Sequence, residues 1–230
     1  MRKKRNRLIT LLGVLLITLG IIFASMPFIT NLVVKNQSLK VVNELEDLEA
    51  NDLRANNADD GTFNYDAINN ISATKTLINR PNYNREQIIG QLVIPDLNIN
   101  LTLFNSLTDG NLLAGVTTMK PGQVMGERNY TVAGHYTNSK DVLLNNLLDA
   151  KMGQTIRLTN KETIYEYEVI DLIKVKATEL HMINDSRADH YGQHIISIMS
   201  CYYYDTDYRW FVVGALTDTY PYTHERMVAK

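Results

Sequence analysis

The chain has 230 residues, 45% of them hydrophobic, and a formal net charge of −2 at pH 7. That balance excludes the basic footprint of a nucleic-acid-binding protein, and the length suits one membrane segment plus a single domain of roughly 200 residues. One cysteine, Cys201, excludes an intrachain disulfide, so the thiol is either an inert core group or a reactive one.

Arg2, Lys3, Lys4, Arg5 and Arg7 precede a run from Leu8 to Phe28 without a charge. About 20 helical residues cross the hydrocarbon core of a bilayer, and the hydroxyls of Thr10 and Thr18 can bond back to helix carbonyls there. Positive charge before the span predicts a cytoplasmic N-terminus and an external C-terminus. A cleaved signal peptide is the alternative, but Ala24-Ser25-Met26 is a poor cleavage site and the apolar run is long for one. The expected layout is therefore a cytoplasmic tail at 1–7, a retained anchor at 8–29 and an extracellular stalk and linker at 30–84. A folded domain at 85–222 and a tail at 223–230 follow.

Gln37 to Asn57 is polar, with Leu39, Val42, Leu45 and Leu48 at helical spacing. It predicts a solvated stalk helix; a dimerising coiled coil would need more heptads. Asn56 to Asn70, rich in Asn, Asp and Gly, predicts a flexible linker.

From Arg85 the texture changes to short strand-like runs broken by turn residues. The candidates are Ile88–Ile94, Asn98–Phe104, Tyr130–Ala133, Thr155–Leu158, Ile164–Val175, Ile195–Met199 and Trp210–Leu216, with a helix-like stretch at Val142–Leu148. Many strands without strand–helix alternation predict an all-β barrel or sandwich with minor helices. No Gly-rich phosphate loop and no zinc-spaced Cys/His pattern occurs.

Cys201 ends one apolar strand and Arg209 begins the next, with only Tyr202 to Tyr208 between them. So short a connection joins antiparallel neighbours, which places both residues at one end of the sheet. His135 follows a separate strand through Ala133-Gly134, whose small size permits close approach. Taken singly, Cys201 reads as a small buried hydrophobe, His135 as a turn or core histidine and Arg209 as a strand-end charge. Together they supply the parts of an acyl-transfer site. A thiolate is the nucleophile, an imidazole protonates a leaving amine, and a guanidinium offers fixed donors to a developing oxyanion.

Thr131-Val132-Ala133-Gly134-His135, Ser197-Ile198-Met199-Ser200-Cys201 and Arg209-Trp210-Phe211-Val212-Val213-Gly214 closely resemble the three catalytic segments of Gram-positive sortases. Lys120-Pro121-Gly122-Gln123, Met125 to Tyr130 and Ala150 to Gln154 fit the housekeeping class A enzymes. The resemblance covers roughly Gln87 to Tyr222. It implies an eight-stranded β-barrel behind an N-terminal transmembrane helix, and a cysteine transpeptidase at the cell membrane with its catalytic domain outside. In that family's chemistry Cys201 attacks the Thr–Gly carbonyl of an LPxTG-type sorting signal, His135 protonates the departing amine, and Arg209 holds substrate and oxyanion. A peptidoglycan-precursor amine of the lipid II type resolves the thioester. Ala133, Ser200 and Val213 are the expected substrate-binding positions.

This chain departs from the family at Ser197, Ile198 and Ser200, where Thr, Leu and Thr are usual. It also departs at Tyr202-Tyr203-Tyr204 and at Thr102, where proline is common. No cofactor or metal is expected: Glu179, Asp185 and Asp189 lack an ordered calcium-ligand spacing, and Gly192 interrupts His190 and His194. A pilin-polymerising sortase is the enzyme alternative, and a membrane-tethered β-barrel binding module is the non-enzyme one.

Overall fold

The protein is described here by a computed structural model covering residues 2–58, 60–68, 82–202, 204–205 and 207–229. Helix α1 (Arg2–Glu46) is continuous, so the expected anchor and stalk are parts of one rod. From Ile9 it is long and apolar enough to cross a membrane by length and composition.

The helix does not end as a solvated stalk. Val34, Ser38, Val41, Leu45 and Leu48 are buried, while Leu39 of the expected stripe is 54% exposed. Val42, Leu45 and Leu48 of the predicted stripe are buried, so the stripe lies on the barrel with Val41 in place of Leu39. Val41, Leu45 and Leu48, with Leu53 of helix α2 (Ala50–Asn56), form one cluster with Ile88, Phe104 and Ala114. A helix terminus leaves unpaired carbonyls. Here Lys161 Nζ donates to the carbonyls of Leu45, Glu46 and Leu48 at 2.7, 3.0 and 2.6 Å, placing a cation on the negative end of the helix dipole.

The expected linker is also partly docked. Phe63 forms a parallel bridge with Leu107, Tyr65–Ile68 makes a 3-10 turn, and Ala67 is buried. Asn69 and Asn70 lie outside the described residues.

Eight strands close a barrel in the order β1-β2-β3-β4-β7-β8-β6-β5. They are β1 (Ile88–Ile94), β2 (Ile99–Phe104), β3 (Val116–Thr118), β4 (Asn129–Gly134), β5 (Thr155–Thr159), β6 (Thr163–Lys176), β7 (Ile195–Cys201) and β8 (Tyr208–Pro221). All seven predicted strands form. The eighth, β3, has three residues, too few to show a period. Val142–Leu148 yields a 3-10 turn over Asn145–Asp149 rather than a helix. Apolar residues from all around the barrel, among them Leu92, Leu103, Val132, Ile156, Ile198 and Val212, fill its interior. Three short helices decorate it: α3 (Asp109–Ala114), α4 (Ser186–Tyr191) and α5 (His224–Val228). Helix α5 buries Met227 against Val93 and Ile164; Lys230 of the expected tail lies outside the described residues.

Removing the Leu45 side chain should cost about 2–5 kcal/mol, as for a large-to-small core change. Urea denaturation of full-length Leu45→Ala in detergent measures this; a solvated stalk would show no loss.

Candidate active site

Strand β7 brings the three predicted residues together through its two pairings. Antiparallel pairing with β8 sets Cys201 directly opposite Arg209. Parallel pairing with β4 sets Ala133 opposite Met199, and two residues farther along each chain come His135 and Cys201. Residues two apart on a strand share a face, so the thiol, the imidazole and the guanidinium converge on the outer face of one barrel end. Gly134 makes this fit. A Cβ there would lie 2.6 Å from Leu144 Cδ1 and 2.9 Å from Val116 Cγ1. The His135 carbonyl accepts from the Leu144 amide at 3.1 Å.

Beside the cysteine, on the same face, lies a cavity of about 70 Å³ lined by Met199, Phe211, Arg209, Met119, Ile183 and Tyr65. Its floor is sheet; its walls come from loops. One wall is the turn Leu180–Ile183, which is pinned by side chains of other elements. Asn129 Nδ2 donates to the carbonyls of Met182 and Asn184 at 3.1 and 3.0 Å, while its Oδ1 accepts from Ser197 Oγ at 2.8 Å. Lys120 Nζ donates to the Ile183 carbonyl at 3.0 Å and pairs with Asp185. The opposite wall is the docked N-terminal segment, where the Tyr65 hydroxyl donates to the Met119 carbonyl at 2.8 Å. Ala67 and Phe63 share one apolar cluster with Cys201, Ala133 and Met199.

Residues 92–217 match the profile of the Sortase domain, more than half of the chain. The chain belongs to the sortase family. Its relatives include Sortase A of Listeria monocytogenes, 31% identical over 215 residues and covering 93% of this chain and 94% of the relative. Sortase A of Bacillus anthracis is 34% identical over 136 residues, covering 59% and 62%. The crystal structure of the Listeria monocytogenes sortase A superposes with a TM-score of 0.57 at 32% identity, covering 63% of this chain and 99% of that one. These likenesses make the protein a class A sortase, a cysteine transpeptidase whose substrates are cell-wall sorting signals.

In this sortase the thiol and the imidazole are nearly enclosed: Cys201 is 5% exposed and His135 3%. Burial pushes the Cys201 thiol above its ordinary range, because an enclosed thiolate loses hydration; the Arg209 charge opposes this without cancelling it.

The substrate-binding expectations fare differently. Ala133 joins the cluster around Cys201. Ser200 has no exposed surface, and strand alternation turns its side chain to the face opposite Cys201. Val213 is also fully buried, four residues along β8 from Arg209, in a separate cluster with Ala188 and Ile195 beneath α4. Neither Ser200 nor Val213 reaches the groove. Glu179, Asp185 and Asp189 are exposed surface carboxylates, beside His181, Lys120 and Arg128 respectively. Among the described residues no three metal-ligating side chains converge. His194 instead accepts the Arg128 amide at 2.9 Å through Nδ1.

Sequence reasoning missed the Asn129 pin and the Tyr65 wall. Phe63 and Tyr65, aromatic residues inside a polar stretch, were the signal for the second; the first carries no local signal.

Two outcomes follow for the sortase. Alkylation of Cys201 by iodoacetamide should keep rising with pH past the ordinary thiol range, and Arg209→Ala should move the midpoint higher. Mass-spectrometric rates against pH check this; a plateau near neutrality would mean a thiolate held by imidazolium. Asn129→Ala should cost at least about 2 kcal/mol, because it strands two carbonyls and a buried hydroxyl, read as a lower denaturation midpoint.

Proposed function

We propose that this sortase is held in the cytoplasmic membrane by α1, with its basic N-terminus inside and its barrel outside. There it transfers proteins bearing an LPxTG-type signal to the amine of a peptidoglycan precursor. The observation that carries the reading is the register of β7, which sets Cys201 against Arg209 and level with His135. The five basic residues before the apolar run support the orientation.

On this reading His135 takes the Cys201 thiol proton as the sulfur bonds to the threonine carbonyl carbon of the signal, and the carbonyl electrons move onto oxygen. Arg209 donates to that oxyanion. Collapse breaks the Thr–Gly C–N bond, and His135 gives its proton to the leaving amine. The leaving peptide then makes way for the acceptor amine. It attacks the thioester carbon, His135 takes its proton, and the thiolate departs and is reprotonated. The three side chains complete this cycle and call on no cofactor. Tyr65, Ile183 and Phe211 offer an apolar groove for the signal's side chains beside the reacting carbonyl.

A panel of sorting-signal peptides with and without amine acceptors, read by product mass, tests the reading. Cys201→Ala should abolish cleavage and transfer. Arg209→Lys should lose at least about tenfold in kcat/KM, since a compact ammonium does not reproduce a planar fork and one oxyanion donor is worth about 10²–10³ in rate. Turnover retained in Cys201→Ala would overturn the mechanism.

A further inference from the structure

Where α1 meets the barrel there is a second cavity, of about 320 Å³, remote from the cysteine. Lys35 and Ser38 of α1 form one wall; Asn98, Asn100, Asp141 and Leu143 form the other.

Its backbone is strained in a way the rest of the barrel is not. Asn98, Asp141 and Leu143 have φ of 52°, 59° and 51°, so three of the five described non-glycine residues with positive φ border this one cavity. For leucine that region is a steric outlier. Such conformations cost about 1–3 kcal/mol each and gather at ligand clamps and other functional sites.

The polar groups are unevenly satisfied. Asp141 accepts from Asn146 Nδ2 at 2.7 Å. That bond, a second from Asn98, and the charges of Lys140 and Lys35 hold its carboxyl below the usual range. Ser38 is different. It is 7% exposed, yet its hydroxyl has no hydrogen-bond partner among the described residues. Its oxygen is not one of the fully enclosed unpartnered atoms of the described residues and opens to the cavity. Asn100 Oδ1 accepts from Gln91 at 2.7 Å, leaving its amide hydrogens as donors toward the cavity. Lys35 makes no ion pair among the described residues. The groups that face the cavity are therefore the exposed Lys35 ammonium, the Ser38 hydroxyl and the exposed Asn100 amide, all of which can donate.

Position supplies the ligand. The apolar run of α1 ends at Phe28, and the helix already touches the barrel at Thr30, 5% exposed, and Val34, fully buried. At the rise of an α-helix, Lys35 stands about 10 Å beyond Phe28. The interfacial layer reaches about 5–8 Å beyond the hydrocarbon, and a lysine side chain spans the difference. The barrel thus rests against the bilayer on this side, with the cavity at headgroup level.

We propose that this cavity binds the phosphodiester headgroup of a membrane glycerophospholipid, with Lys35 on the phosphate charge and Ser38 and Asn100 donating to its oxygens. Lys35 and Lys140 beside the one carboxylate of Asp141 leave a single net positive charge, which matches one phosphodiester; a pyrophosphate would exceed it. The site rests on the membrane-anchored reading above. The segment that closes it starts at His135 and ends at Leu147, whose carbonyl accepts from Trp210 Nε1 at 3.1 Å beside Arg209. A bound headgroup therefore ties the catalytic end of the barrel to the lipid surface.

Native mass spectrometry of the full chain from dodecyl maltoside micelles tests this, with dioleoyl phosphatidylglycerol as probe. Diglucosyl dioleoylglycerol, with the same tails and no phosphate, is the comparison lipid, and inorganic phosphate is a third arm. One phosphatidylglycerol should be retained per chain. Affinity should fall about tenfold or more in Lys35→Ala and about threefold or more in Ser38→Ala, as charged and neutral hydrogen bonds are lost. Lys40→Ala, on the same helix but outside the cavity, should bind normally, and all three variants should melt with the wild type. Equal retention of the glucosyl lipid, inorganic phosphate competing as well as the phospholipid, or unchanged binding by Lys35→Ala would each overturn the site. The mass of the chain recovered from membranes separates the two readings. A chain beginning after Ala24 removes the anchor itself; an intact chain that retains no phospholipid removes only this site.

Discussion

Strand β7 is hydrogen-bonded on both sides, parallel to β4 and antiparallel to β8, and the placement of Cys201 against Arg209 and level with His135 depends on those two registers. A slip of one residue against either neighbour would turn a whole set of side chains to the other face. The thiol would then point into the barrel, and Ser200 would take its place outside. What holds the register is burial on both faces. Ile196, Ile198 and Val212 fill the interior, while Met199, Phe211 and Val213 are covered outside. The placement of Cys201, Arg209 and His135 is thus specified by apolar packing on both faces of the strand.

The same burial sets the electrostatics of the site. Cys201 and His135 are enclosed by elements that do not belong to the sheet: the turn at 180–183, held by Asn129 and Lys120, and the segment at 63–67 that precedes the barrel. Enclosure disfavours the thiolate, and a single guanidinium across the strand pair opposes that penalty. The Cys201 thiol is therefore shielded, with its titration pushed above the ordinary thiol range.

Anchor and barrel are mechanically one body. Helix α1 passes from its apolar run onto the barrel within a few residues, buries Val34, Val41, Leu45 and Leu48 there, and is capped by Lys161. A flexible tether would let the active site sweep a wide volume. A docked helix instead fixes the orientation of the barrel relative to the apolar rod.

The sequence by itself determined the strands, the long apolar helix and the grouping of Cys201 with Arg209 at one strand end. Each rests on a local signal: alternation along one strand, an uninterrupted apolar run, or strand-end residues a short hairpin apart. It did not determine β3, whose three residues show no period, nor the face of the stalk that is buried. Leu39 and Val41 are equally apolar, and only the shape of the barrel selects Val41. Ser200 and Val213 looked like groove residues because they adjoin catalytic segments in the chain. Strand alternation turns the first away from the groove, and α4 covers the second. The Asn129 pin, the Tyr65 wall and the strained cavity beside Lys35 join residues far apart in sequence. Their partners become neighbours only when the barrel closes, so tertiary structure alone decided them.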